Sequence, residues 1–177
     1  VGFEEAGTVH VFREGADGQW EFETRITSPT PARYANFGHS VSVDADACIV
    51  GAPDAGAGAA YLFRWSKELG WVFESKLFDP NGDAGEPFAD SPDRFGNTVH
   101  LAGDTCIVGA PGANNGDRFD VGAARVYGRT DAAGWEPLAV LGPDPQAPEG
   151  HIFGRSVSLA SGMWAVGAPG PYGENMG

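Results

Sequence analysis

The sequence is short of basic residues, of cysteine and of long apolar runs, and each shortage narrows what the chain can be. Eleven Lys and Arg stand against 24 Asp and Glu, for a formal net charge of −13 over 177 residues. A surface of that sign repels phosphate backbones, so nucleic acid is not an expected partner; it tolerates cations, basic protein patches or water. No apolar run approaches the ~18 residues that cross a bilayer as a helix, and no signal-like apolar stretch follows Val1. There is no Asn-x-Ser/Thr sequon, no phosphate loop and no dinucleotide fingerprint. His10, His39, His100 and His151 show no metal-ligand spacing. Gly38-His39-Ser40-Val41-Ser42 approaches a nucleophile elbow but ends in Ser42 where that motif needs glycine. The only cysteines are Cys48 and Cys106, which leaves the redox compartment open.

What is abundant is glycine, with 27 residues, and proline, with 13, spread at regular places along the chain. That distribution fits many short strands joined by tight turns. Self-comparison shows why. Phe37-Gly38, Phe95-Gly96 and Phe153-Gly154 recur 58 residues apart (95 − 37 and 153 − 95). Gly51-Ala52-Pro53, Gly109-Ala110-Pro111 and Gly167-Ala168-Pro169 recur with the same offset (109 − 51 and 167 − 109).

Each unit reads as four strands. His39 to Val43 alternates, with Val41 and Val43 on one face of a half-buried strand. Asp44 to Asp46 makes a turn, and Cys48-Ile49-Val50 is an apolar run suited to burial on both faces. Pro53 ends that strand, because proline cannot donate to a ladder. Ala59 to Arg64 gives a third strand and Trp71 to Phe78 a fourth. Matching third strands are Thr8 to Phe12 and Ala123 to Tyr127, and matching fourth strands begin near Trp20 and Trp135. Four antiparallel strands in about 50 to 60 residues is the size of one propeller blade, which buries its faces only by stacking on neighbours. The expected fold is therefore all-β, a β-propeller region with a half blade at 1–36, blades at 37–94 and 95–152, and a half blade at 153–177. Closed propellers have about four to eight blades, so further blades from a longer chain or from neighbouring subunits are expected. The Phe of each FG pair is expected between blades, with the following Gly permitting close approach or positive φ.

The segments FGHSVSVDADACIVGAP, FGNTVHLAGDTCIVGAP and FGRSVSLASGMWAVGAP resemble FG-GAP repeats, as do the trailing GAAYLF and GAARVY. The resemblance covers nearly the whole chain. FG-GAP repeats build the seven-bladed propeller of integrin α subunits and occur in secreted and surface proteins. The resemblance implies a non-enzymatic propeller module, extracellular or at the cell surface, for protein binding, adhesion or structural assembly. The alternative is the scaffold part of a secreted propeller hydrolase or lyase whose catalytic residues lie outside this segment. One departure from integrin-type repeats concerns calcium. The turns between first and second strands here, such as Asp44-Ala45-Asp46-Ala47 and Ala102-Gly103-Asp104-Thr105, are too short and too poor in oxygens for an ion that takes about six to eight of them. The repeats look like a calcium-poor variety.

Two loop regions remain as candidate sites. Asp79, Asn81 and Asp83 have the spacing that opens an EF-hand-like loop, with Asp90 at its twelfth position. The loop reads either as a Ca2+ site on Asp79, Asn81, Asp83 and Asp90, or as a solvated acidic loop with an Asn-Gly turn. The second-to-third-strand and fourth-to-first-strand loops share one face of the blades and vary most in length. They carry Glu86, Asp93, Asn114, Asn115, Asp117, Arg118 and Asp120, the expected partner-binding residues. Drift of unconstrained surface loops explains the same variation. Cys48 and Cys106 share one repeat position and are read as buried free thiols. The Trp residues are read as blade packing, with Trp65 open to another role.

Overall fold

The structure, a computed structural model, describes residues 6–79, 93–114, 120–131, 134–146 and 150–170. Twelve strands form four antiparallel sheets. β1 (Thr8–Glu14) pairs with β2 (Trp20–Thr27). β3 (Ser40–Asp44), β4 (Ala47–Ala52), β5 (Ala59–Ser66) and β6 (Gly70–Leu77) follow as one meander. β7 (Thr98–Ala102), β8 (Thr105–Ala110), β9 (Ala123–Thr130) and β10 (Gly134–Leu141) repeat it. β11 (Ser156–Ala160) and β12 (Met163–Gly167) begin it again. The described residues contain no helix, hence none long and apolar enough to cross a membrane. These are propeller blades, as the repeat predicted, with β3, β7 and β11 side by side as innermost strands.

Strand alternation sends each blade's residues into two different interfaces. Ile49 and Leu62 point toward the third sheet and share a core with Phe95, Val99, Leu101 and Val108. Cys48, Val50, Tyr61 and Phe63 point the other way, onto Val9 and Ile26 of the first sheet around Phe37. Ile107 and Val126 meet Leu159, with Phe153 and Val157 packed beside them. Each FG phenylalanine thus sits between blades. Phe37 makes edge-to-face contacts with Tyr61 and Phe63, and Phe95 with Tyr127.

The units are latched by backbone. The N–H of Gly38, Gly96 and Gly154 donates to the carbonyl of Gly51, Gly109 and Gly167 in its own unit, at 3.0, 3.1 and 3.1 Å. The N–H of Phe95 and Phe153 donates to Ala57 and Val121 of the preceding unit. The FG glycines hold φ of +92, +90 and +88°, a region in which side chains are strained. The approach is closer than any Cβ permits: one on Gly96 would lie 2.2 Å from the Ala59 carbonyl oxygen, and one on Gly51 would lie 2.0 Å from that of Gly96. FG and GAP are therefore two halves of one inter-blade contact. Residues after the FG glycines extend it, with Asn97 within 3.4 Å of His39 and accepting from Arg155 at 2.8 Å.

On the opposite face, glutamates bridge the outer strands. Glu23 of β2 accepts from Arg13 of its own sheet and from Trp65 Nε1 of the next. Glu74 of β6 repeats the arrangement, accepting from Arg64 and from Arg129 of the next sheet. The Glu74 hydrogen bond and charge raise the Arg129 pKa further above its ordinary value. In the third blade Gly128 and Leu138 stand at the two positions, and Leu138 packs where a Gly128 side chain would be.

Two sequence expectations fail for one reason. Val41 and Val43 are 53% and 67% exposed, whereas Val99 and Leu101 at the same repeat positions are 7% and 2% exposed. Trp20 is also exposed, while Trp135 is buried. Among the described residues no sheet packs against the outward side of β3 or of the β1–β2 pair, and a propeller face is apolar only because a neighbour covers it. Cys48 and Cys106 are buried free thiols in different cores. Burial pushes the Cys48 thiol up to about 11 and Cys106 higher still.

Candidate functional site

The second-to-third-strand and fourth-to-first-strand loops leave the same ends of the blades, because up-and-down strands alternate direction. Between the second and third sheets they frame a cavity of about 340 Å³. Asp79, just past β6, forms one wall and Asp93, just before the FG pair, another. Asn114 comes from the β8–β9 loop, Arg125 from β9, and Val140, Leu141 and Pro143 from the end of β10.

The centre of the site is an ion pair. Arg125 donates from Nε and Nη2 to Oδ2 of Asp79 at 2.7 and 2.6 Å. The side chains are 7% and 1% exposed, so this pair is largely desolvated and its two charges depend on each other. Nη1 of Arg125 is buried and has no hydrogen-bond partner among the described residues. Beside the pair, Tyr127 donates its hydroxyl to the Phe78 carbonyl at 3.0 Å. Burial, and secondarily the Asp79 charge, raise that phenol above its ordinary range, so it stays protonated and a donor.

The local fold explains the placement. Arg125 occupies the position of Tyr61 in the second blade, since each is the third residue of its unit's Ala-Ala strand. Tyr61 directs its hydroxyl to Thr30 Oγ1 at 2.9 Å, beside the buried Ser28. Asp79 stands where Ser28 does, two residues after the last buried aliphatic of the fourth strand, Leu77 or Ile26. A neutral hydroxyl contact between blades one and two thus becomes a charged one between blades two and three.

Of the residues expected to bind partners or metal, Asp79, Asp93, Asn114 and Asp120 are described, and the first three line this cavity. Asp120 lies beside it: its N–H donates to Asn114 Oδ1 at 3.0 Å, its carbonyl accepts from Ile152, and its φ is +50°. The Asp93 carbonyl accepts from Gly112. Asn81, Asp83, Glu86, Asp90, Asn115, Asp117 and Arg118 lie outside the described residues. Among the described residues no three His, Cys, Asp or Glu side chains converge as a metal site. Sequence reasoning missed Arg125 and Tyr127. The signal was a charged residue inside the apolar run Ala-Ala-Arg-Val-Tyr, at a position where the preceding unit carries an aromatic.

No curated protein matches the chain. A family model described as FG-GAP repeat matches residues 20–63 and 71–127, which span three of the four sheets and both Asp79 and Arg125. With more than half of the sequence matched, and with FG and GAP meeting between blades in the structure, the chain belongs to the FG-GAP repeat family.

Proposed function

We propose that this chain is a non-enzymatic propeller module for protein binding, working outside the cell or at its surface, and that its loop-bearing face is the binding surface. The observation that carries this reading is the gathering of Asp79 and Asp93, from the two ends of the β6–β7 loop, and Asn114, from the β8–β9 loop, around one cavity on that face. Loops set on a rigid β scaffold commonly carry recognition, and the net charge of −13 favours a partner with basic patches. Ca2+ on Asp79, Asn81, Asp83 and Asp90 belongs to the same proposal. With Oδ2 of Asp79 committed to Arg125, such an ion would draw mainly on the loop's other oxygens.

The test is affinity capture from the native source, with charge reversal on each face. Asn114→Arg and Asp120→Lys on the loop-bearing face are expected to abolish a saturable partner interaction. Glu68→Lys in the exposed β5–β6 turn on the opposite face is expected to leave it unchanged. Equal losses from both faces, or no saturable partner, would overturn the reading. Calorimetric titration with Ca2+, repeated on Asp83→Asn, tests the ion separately, and surface biotinylation of source cells tests the location.

A further inference from the structure

We propose that the cavity between the second and third blades is a subsite for an uncharged amide group of a partner's peptide chain, read by Arg125. The proposal rests on the partner-binding reading above and names what the partner inserts.

The starting point is the orphan donor. A guanidinium has five N–H groups and no acceptor. Nε and Nη2 of Arg125 are used by Asp79, while Nη1 is buried and has no partner among the described residues. Buried donors are rarely left so, because each loses its water without compensation. The neighbouring interface shows the contrast, where Tyr61 at the same position has its hydroxyl satisfied by Thr30. Replacing that hydroxyl by arginine leaves three N–H groups beyond the two that Asp79 takes, on a residue that lines the cavity.

The chemistry of the walls narrows what can meet it. An acceptor is required, which excludes a bare cation. An anion is disfavoured, because Asp79 already neutralises Arg125 and Asp93 lines the same cavity. That leaves a neutral carbonyl. Asn114 supplies amide N–H groups at the rim, its Oδ1 being taken by the Asp120 N–H. Val140, Leu141 and Pro143 supply an aliphatic flank. A volume of about 340 Å³ lies at the small end of ligand sites, enough for one side chain or one peptide turn.

The probes are N-acetylglutamine methylamide, N-acetylalanine methylamide and acetate, followed by NMR on the Arg125 Nε–Hε group and the Val140 and Leu141 methyls. Substituting Arg125 would strand Asp79 and could unfold the chain, so the blocking variant is Gly142→Leu. Gly142 lines the cavity, and a Cβ there meets nothing within 4 Å. The expected result is saturable shifts with an amide probe at millimolar concentration, at least tenfold weaker in Gly142→Leu, with acetate binding no better than in that variant. Strength in the glutamine probe alone assigns a side-chain amide, and equal strength in both assigns the main chain. Equal binding of acetate, absence of saturable shifts, or indifference to Gly142→Leu would overturn the subsite. A failed subsite alongside successful partner capture separates this inference from the function it rests on.

Discussion

The backbone latch between FG and GAP makes a quantitative prediction, because three glycines separate its two components. Gly103 has φ +55° with nothing within 4 Å of a Cβ, so Gly103→Ala measures conformational strain alone. That cost is about 1 kcal/mol. Gly51 carries no positive φ, yet its Cβ would lie 2.0 Å from the Gly96 carbonyl oxygen, so Gly51→Ala measures steric conflict alone. Overpacking costs about 1–3 kcal/mol where side chains can yield, and here the nearest neighbour is main chain, so the upper end is expected. Gly96→Ala combines φ of +90° with a 2.2 Å approach to the Ala59 carbonyl oxygen, for about 4 kcal/mol. Urea unfolding, with an m-value of about 2 kcal/mol/M, would place the midpoints roughly 0.5, 1.5 and 2 M below the parent. If Gly51→Ala loses no more stability than Gly103→Ala, the latch does not hold the blades together and the reasoning fails.

Three further outcomes are expected. Asp79→Asn or Arg125→Met alone should cost about 3–5 kcal/mol by leaving a buried charge, and the double variant Asp79→Leu/Arg125→Met should recover most of it; a denaturant double-mutant cycle checks this. Glu74→Ala should cost under about 1 kcal/mol per lost arginine partner, with a coupling to Arg129→Ala that shrinks in high salt. Cys48 has a thiol raised from 9.0 to about 11 on folding, so its contribution is fully present below pH 9 and is lost as pH rises through 11. The Cys48 part of the loss should approach about 3 kcal/mol, so the fall in stability above pH 9 should be smaller by that amount in Cys48→Ala, with the part due to Cys106 remaining, and neither thiol should react with Ellman's reagent at pH 8 before unfolding.

The repeat carried most of the fold. A constant spacing of FG and GAP fixed the blade length, and the apolar runs of β4 and β8 marked strands buried on both faces. What it could not carry was context. Val41 and Val99 have the same local pattern, and only the presence of a packed neighbour decides that one is exposed and the other buried. Asp79 was expected as a metal ligand and Asp93 and Asn114 as partner-binding residues, and the structure places all three at one cavity. Arg125 was not expected, because a charge inside the apolar run Ala-Ala-Arg-Val-Tyr does not by itself name its partner. Its importance comes from Asp79, 46 residues away in sequence.

The contact between successive blades is made of carbonyls, amides and absent side chains. A joint of that kind is a common fitting: any unit that ends its second strand in GAP and opens with FG presents the same plug and socket, whatever its loops carry. Blades can therefore be duplicated, lengthened at their loops or exchanged without the joint being re-optimised. The second-to-third-strand loop of the third unit is six residues longer than that of the second (122 − 109 = 13 against 58 − 51 = 7), yet the Gly122–Phe153 bridge forms as Gly58–Phe95 does. Diversity of recognition is free to accumulate on one face while the means of assembly stays constant.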